Sequence, residues 1–278
     1  MTELNLLYFF LSVAFVLAPL MTNRFFLNNS KVYSLAHLSA LAVLVLGFIS
    51  NQNLLAFVWP SFCAFGAISY LKKEDRSVLS VEGIAACIPF LFSLISATWF
   101  FCGVNDLHLL GYSQVWSFYA ALHGSYLGWM FVGCLAFLSS RRQSPNLYLW
   151  GCYLSLIFFL FVAFGIDGTP YIKRIGVVGF SFLVPLLIGL YGFTLKSKNR
   201  RSRFLAVLSL SSIIVSMVLA ILNEFWAGAP RIAYGLPVMV VAHGFLNAVL
   251  TVPCFYFSIR LEAADGLLSD ESKHAPTA

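Results

Sequence analysis

The feature that most constrains this chain is a succession of long apolar segments separated by short polar loops. Nine such segments lie at roughly 5–21, 32–50, 53–71, 81–103, 113–139, 146–165, 175–195, 204–226 and 236–260. As ideal helices they would rise about 25 to 40 Å, and the hydrocarbon core of a bilayer is about 30 Å thick. We therefore predict an all-α, polytopic membrane helix bundle of about nine transmembrane helices.

The composition supports the same class. Only 10% of the 278 residues are charged and 60% are hydrophobic, whereas soluble domains carry about 25% charged residues. Such a chain cannot cover a water-facing surface. We expect a multi-pass protein of the plasma membrane, or of the inner membrane if the source is bacterial.

Basic residues in the loops indicate the orientation of the bundle. The loops after segments one, three, five and seven hold twelve of them: Arg24, Lys31, Lys72, Lys73, Arg76, Arg141, Arg142, Lys196, Lys198, Arg200, Arg201 and Arg203. The loops after the other segments hold three: Lys173, Arg174 and Arg231. Because basic loops stay in the cytoplasm, we predict that the N-terminus faces out and the C-terminus faces in.

The domain organisation follows from the same pattern. We expect one transmembrane bundle over residues 1–261 and a polar cytoplasmic tail over 262–278. Glu3 precedes the first segment and no basic stretch does, which argues against a cleaved signal peptide. The net charge of +6 lies mostly in short loops and so indicates topology, not nucleic-acid binding. We expect membrane lipid and a lipophilic small molecule as partners, with the oligomeric state left open.

Two polar residues interrupt the last apolar segment. His243 and Asn247 are spaced i, i+4 and therefore share one face of a helix. Hydrocarbon offers no hydrogen-bond partners, so this face must meet protein or a water-filled cavity. Two interpretations stay open: an interhelical hydrogen bond that fixes packing, or the wall of a polar pocket.

A second histidine, His123, lies inside an aromatic stripe formed by Trp116, Tyr119 and Tyr126 at helical spacing. Such a stripe is often packing, but a histidine within it can orient a substrate or transfer a proton. With segments five and nine both running inward, His123 and His243 lie about 15 and 10 Å below the outer surface.

Further polar and aromatic residues fall in the same outer half. Glu224 ends segment eight, Asp167 follows segment six, and Trp59 and Trp99 lie near the outer ends of segments three and four. Each also has a simpler role: an interfacial carboxylate, a turn residue or an interfacial anchor. His37 and Glu82, near the basic ends of their segments, are expected at the membrane interface.

Two short motifs resemble those of YndJ-like membrane proteins. One is His-Gly-Phe-Leu-Asn-Ala from His243 to Ala248, and the other runs from Leu122 to Trp129. The second motif usually has another histidine where this chain has Ser125, which argues against a histidine pair on that helix. The resemblance implies a membrane fold with a polar site. In general architecture the chain is also similar to small integral-membrane terpenoid cyclases.

These features favour a membrane enzyme that performs acid–base cyclisation or isomerisation of a lipophilic, terpenoid- or polyketide-like substrate without a cofactor. We assign Glu224 as acid, His123 and His243 as proton-transfer or orienting groups, and Asn247 as a positioning group. The substrate-binding candidates are Trp59, Trp99, Trp116, Tyr119, Tyr126 and Asp167. The six cysteines lie in apolar runs without a Cys-x-x-Cys pair, so we expect no metal site.

Two alternatives remain. His123 and His243 on separate helices could ligate a b-type haem. A carrier of lipids or small molecules would instead use the prolines of segments four, seven and nine to break its helices.

The orientation can be tested by fusing a reporter that is active only in the cytoplasm after Ala278. Twelve basic residues against three predict an active fusion. A silent fusion whose expression is verified would contradict the predicted orientation.

Overall fold

A computed structural model describes residues 2–73, 78–141, 145–167, 169–195, 199–226, 232–233 and 235–265. Within these ranges, nine helical spans are long and apolar enough to cross a membrane. The predicted all-α, multi-pass membrane bundle is confirmed, while its orientation stays a prediction.

The helices follow one another with short connections. Their bounds are α1 Glu3–Phe25, α2 Lys31–Ile49, α3 Val58–Lys73, α4 Val81–Val104, α5 Gln114–His123, α6 Val132–Ser139, α7 Pro145–Asp167, α8 Pro170–Phe193, α9 Arg200–Phe225 and α10 Val252–Ala264. A 3₁₀ turn, Asn53–Phe57, leads into α3, and another, Leu109–Gly111, precedes α5.

Two of the nine spans contain π-helical turns. The segment Gly124–Phe131 joins α5 to α6, and the segments Met239–Gly244 and Leu246–Thr251 lead into α10. Before the second of these spans, β1 (Ile232–Ala233) pairs antiparallel with β2 (Leu236–Pro237). The predicted last segment therefore begins with a short strand at Leu236–Pro237, and its helical span runs from Met239 to Ala264 with π-helical turns in its first half.

Other helix ends also differ from the predicted ones. α8 begins at Pro170, where proline is favoured in the first turn, so Lys173 and Arg174 lie inside the helix and not in a loop. α10 continues past Leu261 to Ala264, and Glu262, assigned to the polar tail, is fully buried. Residues 266–278 of the predicted tail lie outside the described residues.

The span from Gln114 to Ser139 forms the centre of the bundle. In an 18-residue window of this span 83% of the residues are buried, compared with 22% in a window of α2. Small residues allow neighbours to approach it closely: a Cβ on Gly128 would lie 2.1 Å from the ring of Phe92 on α4. The indole of Trp129 also donates a hydrogen bond of 2.8 Å to Thr22 on α1.

Helix α1 contains a proline whose missing N–H is compensated by a histidine. Pro19 cannot donate to the carbonyl of Phe15, its normal partner in an α-helix. Nε2 of His37 lies 2.8 Å from that carbonyl oxygen and so donates to it. The side chain of His37 is buried, since an unpaired carbonyl in the bundle requires a donor; its position near the membrane interface stays a prediction.

This pairing predicts a dependence between two substitutions. His37→Leu should lower the free energy of unfolding by about 1–3 kcal/mol, because the Phe15 carbonyl loses its donor. In a Pro19→Ala background the backbone supplies an N–H, and the loss should fall by at least about half. Reversible unfolding in mixed micelles measures both values.

The matched control is a Pro185→Ala background, which removes a proline from α8. There the full loss from His37→Leu should persist. An equal loss in all three backgrounds would contradict the compensation.

Candidate functional site

The side chain of His243 is fixed by α9. Its Nδ1 lies 2.9 Å from the hydroxyl and 3.0 Å from the carbonyl oxygen of Ser216. A carbonyl oxygen only accepts hydrogen bonds, so a neutral His243 carries its proton on Nδ1. Its Nε2 is then a hydrogen-bond acceptor, and no described residue bonds to it.

Asn247 completes this contact. Its amide nitrogen donates to the Ser216 hydroxyl at 2.7 Å and to the His243 carbonyl at 3.0 Å. Its Oδ1 atom is buried and finds no partner among the described residues. The predicted shared face of His243 and Asn247 therefore meets a serine, and one amide oxygen is left for a further donor.

His123 is held in the same way by its own helix. Its Nδ1 lies 2.8 Å from the carbonyl oxygen of Tyr119. The neutral ring thus carries its proton on Nδ1 and leaves Nε2 as an acceptor. The side chain of His123 is exposed, and the space between His123, His243 and α1 is called the recess. The ring is near enough to His243 for charge on one imidazole to act on the other.

α1 borders both histidine-bearing spans. The hydroxyl of Tyr126 donates to the Phe10 carbonyl at 2.7 Å. A Cβ on Gly244 would lie 2.8 Å from the ring of Phe10, so only glycine allows this approach. α1 therefore packs against the residues beside both imidazoles and forms a wall of the recess.

Both histidines lie at or within π-helical turns. A π-turn shifts main-chain hydrogen bonds to i+5 and leaves carbonyls open to side chains. Beside the first of these turns, Ser96 on α4 donates to the Ala121 carbonyl at 2.8 Å. π-turns are rare and occur often at functional sites, and His123 directly precedes one while His243 is part of another.

Ser125 occupies the place where the resembling motif has a second histidine. It is fully buried, and its hydroxyl lies 2.6 Å from that of Ser96. This serine packs the span against α4 and does not face the recess as a second imidazole would.

A role at the site was not predicted from the sequence for Glu3 or for Ser216. The hydroxyl of Tyr119 donates to the carboxylate of Glu3 in a short hydrogen bond; the two are distant in sequence, so no local pattern joins them. Ser216 had a signal: Ser202, Ser209 and Ser216 recur every seven residues on α9 and are all fully buried. Such a row of small polar residues is typical of a helix–helix contact in membranes.

Glu224 takes part in an ion-pair cluster. Its carboxylate lies 2.8 Å from Nζ of Lys173 and 3.5 Å from Nε of Arg174. These contacts join the ends of α8 and α9. The side chain of Asp167 lies outside the described residues.

The predicted aromatic residues separate into three groups. Trp116 is half exposed and packs edge-on against Tyr119, 5.5 Å between ring centres, near His123. Trp99 stacks on Tyr112 at 4.8 Å. Trp59 is fully buried and stacks on Phe15 at 4.1 Å, which accounts for it as core.

Ligands for a metal ion are sparse in the described part of the chain. No group of three or more His, Cys, Asp or Glu side chains gathers there in a way that could hold a metal. The two imidazoles are therefore the strongest pair of ligating groups near the recess.

Comparison with known proteins identifies the family to which the chain belongs. A family model described as YndJ-like protein matches residues 6–251. A relative from Bacillus subtilis (strain 168), "Uncharacterized membrane protein YndJ", is 21% identical over 235 residues, which cover 82% of this chain and 42% of the relative. The chain thus matches less than half of that protein's length. No solved structure matches. Because the family model spans most of the sequence, the chain belongs to the YndJ-like family of membrane proteins.

Proposed function

We propose that the chain is an integral-membrane enzyme that performs acid–base cyclisation or isomerisation of a lipophilic, terpenoid- or polyketide-like substrate in the recess beside α1. One observation carries this proposal: His123 and His243 both bind a carbonyl through Nδ1 and both leave Nε2 without a protein partner among the described residues. A histidine that only packs against its neighbours has no need of a free Nε2, yet both His123 and His243 leave Nε2 free.

The two Nε2 atoms suit a reaction that moves a proton. In an isomerisation, one imidazole removes a proton from a substrate carbon, and a protonated group returns one to another carbon. A cyclisation begins with protonation and ends with proton loss, so neither reaction needs an oxidant or reductant. Imidazole titrates near neutral pH and serves as acid or base.

The hydrogen bonds to Nδ1 prepare His243 for this role. When Nε2 takes a proton, the carbonyl of Ser216 stabilises the positive ring through the Nδ1–H bond it already accepts. Asn247 keeps the Ser216 hydroxyl in place. The ring therefore does not have to reorient during proton transfer.

We assign the acid role to the imidazolium that forms when a histidine Nε2 takes up a proton, and we assign Glu3 as the group that positions Tyr119. Glu224 already binds Lys173 and Arg174, and these contacts hold its carboxylate at the ends of α8 and α9. Tyr119 belongs to the same helix as His123 and is hydrogen-bonded to Glu3. The faces of Trp116 and Tyr119 can shelter a developing cation.

The lipophilic molecule that co-purifies with the protein is the natural test substrate. After identification by mass spectrometry, it is incubated with wild type and variants. His243→Ala and His123→Ala should each lower turnover about 100- to 10,000-fold, the usual effect of losing a general acid or base. Thermal stability should change little, because interhelical hydrogen bonds in membranes average about 0.6 kcal/mol.

Two further variants sharpen this test. Glu3→Gln should lower turnover and Glu224→Gln should not, and the exposed loop residue His108 provides a matched control as His108→Ala. Wild-type turnover in both His243→Ala and Glu3→Gln would overturn the proposal.

A b-type haem protein is the second candidate, favoured by the same tautomer in both histidines. Nδ1–H bound to a carbonyl with Nε2 free is the arrangement of a histidine that ligates a metal. Bis-imidazole haem gives an intense Soret band, which His123→Ala and His243→Ala would each abolish or shift. On the enzyme proposal, protein purified from haem-supplemented cells has no Soret band; a band that depends on both histidines would support the haem protein instead.

A further inference from the structure

A cavity of about 830 Å³ lies at the end of the bundle opposite the histidines. It is formed by the last turn of α1, the first turns of α9 and the last turns of α10. Four arginines line it, Arg24, Arg200, Arg201 and Arg260. The basic loops predict that this end faces the cytoplasm.

In the described ranges, no ion pair joins any of the four guanidinium groups to an acidic side chain, although Arg260 is hydrogen-bonded to Tyr256 on its own helix. Glu262, on the same helix as Arg260, is fully buried and does not line the cavity. By contrast, Lys173 and Arg174 at the other end share Glu224. The positive-inside tendency explains basic residues at this end, but not the convergence of four arginines from three helices on one cavity.

The ends of the helices add to the positive potential. α9 begins at Arg200, so its N-terminus lies beside the arginines, and a helix N-terminus favours anions. Arginine binds phosphate through two parallel hydrogen bonds, which lysine cannot do.

The rest of the cavity wall is apolar. Phe204, Leu205, Phe257 and Leu261 complete it. A ligand that satisfies both parts of this wall has an anionic head and a hydrocarbon body, and the cavity lies where lipid headgroups meet the bundle. We propose that this cavity binds the phosphate headgroup of an anionic membrane lipid.

The test compares lipid binding by native mass spectrometry of protein in a neutral detergent. The probes are phosphatidylglycerol, phosphatidylcholine with the same acyl chains, and inorganic phosphate. Arg200→Gln/Arg201→Gln/Arg260→Gln should lose about tenfold or more in apparent affinity for phosphatidylglycerol, since charge-assisted bonds are removed. Phosphatidylcholine should bind more weakly to the wild type.

The matched control removes the same charge at the same end outside the cavity, as Lys72→Gln/Lys73→Gln/Arg141→Gln. It should bind phosphatidylglycerol within about twofold of wild type. An equal loss of affinity for phosphatidylglycerol in both triple variants would show that only general charge attraction acts. That result would overturn the proposal of a specific site in the cavity. Complete displacement of phosphatidylglycerol by millimolar inorganic phosphate would show that the cavity binds a free anion. That result would overturn the proposal of a lipid ligand.

A thermal-shift measurement keeps the test decisive if the arginine variant does not fold. Phosphatidylglycerol should raise the Tm of wild type and of the lysine–arginine control more than phosphatidylcholine does. Equal increments from the two lipids would overturn the proposal. The test uses no turnover measurement, so its result is independent of the proposed enzyme activity.

Discussion

The hydrocarbon around this bundle cannot satisfy polar groups, and the contact between α9 and the last span depends on this constraint. Ser202, Ser209 and Ser216 point at that span every seven residues. They bind in turn Ser258, the Thr251 carbonyl, and the His243–Asn247 pair. This serine row fixes the rotation of the last span, and with it the direction of the His243 ring.

The same constraint fixes α1. Backbone carbonyls of this helix accept hydrogen bonds from side chains of its neighbours: Phe15 from His37 and Phe10 from Tyr126. Each bond is modest, since net hydrogen bonds contribute about 0.5–1.5 kcal/mol. Their value lies in specifying one arrangement of α1 between the two histidine-bearing spans, which apolar packing alone specifies weakly.

The number of spans and the polar pair in the last one could be predicted because both are local patterns. Segment length and charge fix the spans, and i, i+4 spacing places His243 and Asn247 on one face. The π-turns could not, because the shift to i+5 hydrogen bonds depends on tertiary partners such as Ser96. The Glu3–Tyr119 bond and the arginine cavity join helices that are far apart in the sequence, and no periodicity reports them.

The seven-residue serine row was present in the sequence but is weak evidence alone, since serines are common in apolar helices. For Trp59 the residue type is prominent in the sequence, but it does not distinguish between two roles. Tryptophan near a predicted membrane surface suits an anchor or a pocket wall equally well, and only its packing on Phe15 distinguishes a core residue.

The function proposed for this bundle requires that both imidazoles keep their protons on Nδ1 and offer Nε2 to the recess. Solid-state ¹⁵N NMR of histidine-labelled protein in lipid bilayers reports the protonation of each ring nitrogen, with signals assigned by His123→Ala and His243→Ala. We expect, for the neutral form of both residues, a protonated Nδ1 and an unprotonated Nε2. A proton on Nε2 of either neutral ring would contradict it, because that nitrogen could then not accept a proton from a substrate.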